Sequence, residues 1–332
     1  MKRTAAGISL EELRIDAAAE SHRIEKWISE TVHKLHRRGV VLGLSGGVDS
    51  SVVASLCTRA LGADRVLGLF MPELDSSDDS LKLGELLADS LAISTVLEDI
   101  SPILQACGCY RRRDDAIRTL VPEYNSEWKC KLVLPDLKSG SHYAVSSLVV
   151  RSPQGTEKKV RLTARAYSEI VAASNFKQRT RKMLEYFHAD RLQYAVAGTP
   201  NRLEYDQGFF VKNGDGAADL KPIAHLYKTQ VYQLAEHLHI PTEIQQRPST
   251  TDTFSLPQSQ EEFYFSIPLE CMDLCLFGKN HAISATATAQ VADISPEQTA
   301  LVYASIEAKR KATAYLHLGP QLVEDIPLAG DA

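Results

Sequence analysis

The sequence predicts an α/β protein built on a doubly wound parallel sheet, with a β-rich flap inserted in it. Three observations carry this. Short apolar runs alternate with amphipathic helical stretches up to about residue 97 and again from about 175, the order that builds a parallel sheet covered on both faces. The run Val40-Val41-Leu42-Gly43 passes through Ser45-Gly46-Gly47 directly into the helical segment Ser50–Leu56. Between 109 and 173 the spacing changes to short β-type runs. The expected organisation is one sheet domain, 1–108 with 174–332, interrupted by a flap at 109–173.

The elements follow in order. Ser9 and Glu12 read as a capping box. It opens a long helix carrying Leu13, Ala17, Ile24, Trp27, Ile28, Val32 and Leu35 at helical spacing, suited to cover the sheet or to pack on a partner. After the first strand and its helix, which ends near Gly62, Arg65–Phe70 is the second strand. The polar loop Met71–Ser80 leads to a helix over Leu81–Leu91, and Ile93–Leu97 is the third strand. In the flap, Lys129–Leu134, Tyr143–Arg151 and Lys158–Leu162 are the β runs, with a Ser152-Pro153-Gln154-Gly155 turn between two of them. Its basic groups, Arg111-Arg112-Arg113 and Lys158-Lys159, suit a solvated face or a binding site. Helical spacing returns at Phe176–Met183, and Tyr194–Ala197 is the fourth strand. Leu226–Leu238 is a helix stopped by Pro241, residues 247–260 are a loop, and Ser295-Pro296 starts a last helix ending in Lys309-Arg310-Lys311.

Bulk properties narrow the function classes. Across 332 residues, 44% hydrophobic and 24% charged content match an ordinary soluble protein. A net charge of −5 argues against nucleic acid as the main partner. No apolar run approaches the roughly 20 residues of a membrane span, and Met1-Lys2-Arg3 begins no signal peptide. The expected location is cytoplasmic. The six cysteines lack zinc-site spacing and read as buried or idle thiols.

The strand–glycine turn–helix stretch at 40–56 is an anion site. Amides of the turn point outward, the helix dipole adds partial positive charge, and two glycines admit a phosphate without steric hindrance. Asp49 would repel a bare phosphate, so its expected job is to hold a cation that the phosphate shares. The common phosphate loop ends in Gly-Lys-Ser/Thr. Here Ser45-Gly46-Gly47-Val48-Asp49-Ser50-Ser51 has no lysine and resembles the pyrophosphate loop of the ATP pyrophosphatases, whose sheet is adenine-nucleotide α-hydrolase-like. That superfamily cleaves ATP between the α and β phosphates and forms an adenylated substrate.

Later motifs narrow the resemblance. Gly198-Thr199-Pro200-Asn201-Arg202-Leu203-Glu204, then Gly208–Ile223 with Lys212, Asp215, Asp219 and Lys221, then Leu226-Tyr227-Lys228-Thr229-Gln230-Val231, resemble the ammonia-dependent NAD synthetases, carbon–nitrogen ligases. The resemblance is ordered over about 20–107 and 175–252. It implies ATP and Mg²⁺, adenylation of the deamido-NAD carboxylate, and displacement of AMP by ammonia. Carried over by position, Gly43, Leu44, Ser45, Gly46, Gly47, Val48, Asp49 and Ser50 would cradle ATP, with Thr199, Lys228 and Thr250 also in contact. Asp49 and Glu204 would hold the metal; with Lys228 they are the catalytic set. Arg179, Lys212, Asp219 and Lys309 would contact the dinucleotide. The chemistry agrees: charge builds on the leaving pyrophosphate, where a cation and a lysine belong.

Three departures bear on the acyl substrate. Ala308 stands where the family usually has His before the C-terminal Lys, Ala312-Thr313 replaces the prolines that follow, and the flap has no counterpart in short members. These keep open a second reading, the same chemistry on another carboxylate. A nucleotide-binding module without catalysis would not need Asp49, Glu204 and Lys228 together. Modification of tRNA is disfavoured by acidity and by the lack of paired Cys-x-x-Cys motifs. The chain opens with the helix before the loop, so nitrogen is expected as free ammonia or from a separate glutaminase. The resemblance also implies a homodimer.

Overall fold

A computed structural model of the chain describes residues 9–134, 146–251, 253–324 and 326. Residues 143–145, the start of the second flap run, lie outside them. The first helix, α1 (Ala17–Lys34), starts later than the sequence suggests, because Asp16 competes for the cap. Its Oδ1 accepts from the Ala18 and Ala19 amides at 3.1 and 3.0 Å, whereas Ser9 caps only a short 3₁₀ turn, without a side-chain bond. Ile24, Ile28 and Val32 of α1 pack into the core beneath the first strand. The apolar stripe of α1 therefore covers its own sheet, and only Trp27 and Leu35 stay exposed.

The chain then forms β1 (Val40–Gly43), α2 (Val48–Leu61), β2 (Val66–Phe70), α3 (Asp78–Leu91) and β3 (Ser94–Leu97). Strands β1 and β2 are apolar throughout, and the structure uses both their faces. Val40 and Leu42 join the cluster with α1 and α2, while Val41, Leu67 and Leu69 point into a second cluster on the opposite side. Beyond β3 the chain leaves the sheet through α4 (Ser101–Ala106) and α5 (Cys109–Arg118). The flap follows as β4 (Lys129–Val133), β5 (Ser147–Arg151) and β6 (Glu157–Arg161), an antiparallel sheet in that order. Helix α6 (Ala164–Leu192) carries the chain back to β7 (Ala195–Val196), which pairs parallel to β1.

The parallel sheet thus runs β3-β2-β1-β7. The chain steps away from β1 on one side and returns on the other, so the carboxyl ends of β1 and β7 form the topological switch point, where ligands bind in such sheets.

Helix α6 begins at Ala164 rather than near Phe176. Its first turns place Ala166 and Ile170 against Cys130, Leu132, Leu148 and Val150 of the flap, while Leu184, Ala189 and Leu192 face the parallel sheet. One helix serving two cores shifts its apolar face along its length, which blurs the periodicity. The flap is also joined to residues 255–262. The Cys130 amide donates to Ser255 Oγ at 2.9 Å and the Leu256 amide to Cys130 O at 3.1 Å. Lys131 Nζ reaches Glu262 Oε2 at 2.8 Å.

After β7 come α7 (Arg202–Gln207), α8 (Lys228–His237), α9 (Thr242–Gln245), α10 (Leu269–Asn280), α11 (Ala285–Ala292) and α12 (Pro296–Thr313). Ser295 and Gln298 cap α12 reciprocally. Gly208 ends α7 with φ +71°, and a Cβ there would fall 2.2 Å from Thr313 Cβ, so the end of α12 seats on bare backbone. No helix among the described residues is long and apolar enough to cross a membrane.

Candidate active site

A cleft of about 260 Å³ opens at the carboxyl ends of β1 and β2 and is closed on one side by residues 197–199 and 247–251. Of the residues expected around ATP, all but Gly46 line it. Gly46 shapes the loop instead. Its φ is +69°, and a Cβ on it would lie 2.5 Å from Ser80 O, so both conformation and space require glycine. The loop hydroxyls brace the turn: Ser45 Oγ and Ser50 Oγ are 3.0 Å apart, and Ser50 Oγ donates to Gly47 O at 3.0 Å. No side chain caps α2, so its first amides face the cleft as donors for an anion.

The three residues of the expected catalytic set meet here. The Lys228 ammonium, 2% exposed, pairs with Asp49 Oδ2. Asn201 joins the elements: its Nδ2 donates to Asp49 Oδ1 at 3.0 Å, and its Oδ1 accepts from the Leu203 amide at 2.9 Å to cap α7. Its own amide donates to Glu204 Oε2 at 3.1 Å, and Gln260 Nε2 donates to Glu204 Oε1 at 2.9 Å. Glu204 is thus the third residue of α7, aimed into the cleft by a capping box. Asp273 of α10 fixes Lys228 from behind, accepting from the Lys228 and Thr229 amides at 3.1 and 2.7 Å. Burial pushes the Asp273 carboxyl up to about 6.

Burial, reinforced by the negative charge of Asp49, pushes the Glu204 carboxyl up to about 8. Burial works against the Lys228 ammonium, but Asp49 and Glu204 together hold it above the ordinary lysine value. Two carboxylates that repel each other at one cleft could hold a hard cation. Among the described residues no third acidic, His or Cys ligand joins them, which suits Mg²⁺, an ion that keeps water and phosphate oxygens in its shell.

The residues expected at the dinucleotide lie elsewhere; none lines the cleft. Arg179 is exposed and its Nε donates to Lys212 O at 3.2 Å. Lys212 Nζ donates to Tyr315 O and Leu318 O, both at 2.8 Å. Asp219 accepts from the Val196 amide at 2.7 Å and from Tyr186 Oη at 3.2 Å. Lys309 Nζ donates to Tyr264 O at 2.7 Å and lies 4.4 Å from the Tyr264 ring centroid.

Burial depresses the Lys309 ammonium to about 7. The unfolded chain therefore binds more protons there than the native one between about pH 7 and 10, so this group makes stability rise with pH in that window. Lys309→Met is expected to flatten that rise in chemical denaturation across pH 7–10; an unchanged slope would remove Lys309 as its source.

Sequence reasoning missed other cleft residues: Asn201 as the link, Gln260, Arg247, and the buried pair Lys182–Glu185, whose Nζ and Oε2 are 2.5 Å apart. Asn201 had a signal, an Asn three residues before Glu. Gln260 and Arg247 had none, because residues 247–260 read only as a polar loop.

Comparison with known proteins agrees with this geometry. The NAD synthase family model matches residues 20–126 and 149–313. The chain is 58% identical over 318 residues to an NH₃-dependent NAD⁺ synthetase of Rhizobium meliloti, covering 96% of this chain and 95% of that protein. It is 59% identical over 315 residues to the protein of that name from Mesorhizobium japonicum, covering 95% and 99%. In fold it resembles an NH₃-dependent NAD synthetase structure from Campylobacter jejuni, with a TM-score of 0.60 at 22% identity, covering 93% of this chain and all of that one. The flap region 127–148 falls outside the family model but inside these long alignments. With the strand-end acids, the buried lysine and these matches in agreement, the chain belongs to the NAD synthase family.

Proposed function

We propose that the protein is an ammonia-dependent NAD synthetase, a carbon–nitrogen ligase that adenylates the carboxylate of deamido-NAD with ATP and releases NAD when ammonia displaces AMP. The observation that carries this reading is the meeting of Asp49, Glu204 and Lys228 beside an uncapped helix start at the switch point. Adenylation needs the α phosphorus exposed to a carboxylate while pyrophosphate leaves. The amides of α2 and the loop donate to phosphate oxygens, and Lys228 offsets charge on the leaving group. Asp49 and Glu204 would hold Mg²⁺, which when bound neutralises phosphate charge and aligns the leaving oxygens. Ammonia then attacks an activated acyl carbon, so no side-chain nucleophile is needed and positioning supplies much of the rate. Incubation with ATP, Mg²⁺, ammonium and deamido-NAD should yield NAD and AMP in equal amounts; NAD formation that requires glutamine and an added glutaminase would shift the nitrogen source to a partner.

The metal assignment predicts a pH effect. With the Glu204 carboxyl near 8, uptake of Mg²⁺ with a non-hydrolysable ATP analogue at pH 7 should release a proton and tighten as pH rises to about 8. Calorimetry in buffers of different ionisation enthalpy measures this, and Glu204→Gln should abolish the release.

Arg179, Lys212, Asp219 and Lys309 remain the proposed contacts for the dinucleotide; Lys212 also holds the C-terminal segment through Tyr315 O and Leu318 O. A homodimer is part of the same proposal. Its support is the exposed pair Met183 and Phe187 on α6, 55% and 57% accessible and one turn apart, rather than α1, whose apolar stripe is already buried. Light scattering at micromolar concentration should give twice the chain mass, and Phe187→Asp should lower it to one.

A further inference from the structure

Lys228 is already paired with Asp49 and held charged by both Asp49 and Glu204. Asp49 therefore shares that positive charge with any nucleotide that binds. The leaving pyrophosphate carries several negative charges, and the loop adds only amides and hydroxyls. Beyond Lys228 and the proposed Mg²⁺ site, the structure holds a further cation against the loop itself. Arg247 Nη1 donates to Ser45 O at 3.2 Å and Nη2 to Ser80 Oγ at 2.7 Å. A Cβ on Gly46 would sit 3.0 Å from its Nη1, so the guanidinium lies against the turn itself. Among the described residues no carboxylate lies within ion-pair distance of it. Of five N–H donors on the planar fork, two are taken by Ser45 O and Ser80 Oγ, and three remain.

We infer that Arg247 is a pyrophosphate-binding residue of this synthetase: it takes the β and γ phosphates of ATP and holds the leaving pyrophosphate against the Ser45–Ser50 loop. A forked cation suits phosphate oxygens bidentately, which a lysine cannot copy. The position follows from the flap. Strand β4 holds residues 255–262, the Gln260 amide donates to Ser249 O at 2.9 Å, and the segment leading back to Arg247 lies over the loop.

This inference rests on the ATP-site reading above, and the test separates the two. Binding of inorganic pyrophosphate with Mg²⁺, and separately of AMP, is measured by calorimetry for the native protein, Arg247→Lys and Arg247→Ala. Native binding of both ligands to the cleft establishes the ATP site, whatever the variants do. The expected result is a pyrophosphate affinity at least tenfold weaker in Arg247→Ala and intermediate in Arg247→Lys, with AMP affinity within twofold of native in both. ATP-dependent turnover should show a raised KM for ATP and a lowered kcat. Equal weakening of AMP and pyrophosphate would mean that Arg247 only shapes the loop, and unchanged pyrophosphate affinity would overturn the inference outright. Ser80→Ala, which removes one anchor and leaves the guanidinium in place, should weaken pyrophosphate less than Arg247→Ala; the reverse order would also overturn it.

Discussion

Lys228→Met should lower kcat by about 10²–10³-fold, the usual cost of removing one charge aimed at a developing anion. The lysine is buried, its backbone is tied to Asp273, and its ammonium sits on Asp49. Arginine should not rescue, because its planar fork does not reproduce the compact point charge that the Lys228 ammonium sets on Asp49. The loss should fall on the step that expels pyrophosphate, so ATP–pyrophosphate exchange should fall with overall turnover. A variant with native exchange but slow NAD formation would instead place Lys228 at the ammonia step.

Lys177→Met should destabilise the protein by about 3–5 kcal/mol, the cost of leaving a buried charge without its partner. Lys177, 1% exposed, donates to Glu73 Oε1 at 2.8 Å, Asp75 Oδ2 at 2.7 Å and Thr253 O at 2.7 Å. Arg113 shares Asp75, with Nη1 2.5 Å from Oδ2, and Tyr110 Oη donates to Glu73 Oε2 at 2.9 Å. This network joins α5, α6, the loop after β2 and the chain near residue 253. Its loop continues into the cleft through Met71, Pro72, Ser76 and Ser77, so loss of the lysine should loosen the nucleotide site as well. Urea denaturation measures the first effect. Adding Glu73→Gln to Lys177→Met should recover part of the loss, because it removes the stranded charge. A single-variant cost below about 1 kcal/mol would mean that the carboxylates find water or protons instead.

The meeting of Asp49, Glu204 and Lys228 was legible because these residues are local to strand ends and a helix start. Asp49 follows β1 within one loop, Glu204 follows β7 within one loop, and Lys228 opens a helix, so motif and topology coincide. Helix starts were less legible. Asp16 outcompeted Ser9 because its carboxylate reached two amides, and the start of α6 was hidden by its change of core. Arg247 could not be read at all: its partner Ser45 lies 202 residues away, and the flap contacts that bring them together join segments 125 and 131 residues apart. The same distance effect applies to Lys309. Its expected contact with substrate came from the family resemblance alone, and its neighbours in the fold, the Tyr264 ring and the end of α7, lie far from it in sequence.

The central claim is that the cleft joins a carboxylate to the α phosphorus of ATP and expels pyrophosphate. The most direct measurement is isotope transfer. Deamido-NAD labelled with ¹⁸O in the reacting carboxylate is turned over with ATP, Mg²⁺ and ammonium, and the phosphorus products are analysed by mass spectrometry. Adenylation predicts one ¹⁸O atom in each AMP, unlabelled pyrophosphate and no ADP. Label in orthophosphate with ADP as co-product would mean attack at the γ phosphorus, and would contradict the assignment of Asp49, Glu204 and Lys228 to a pyrophosphate-leaving site.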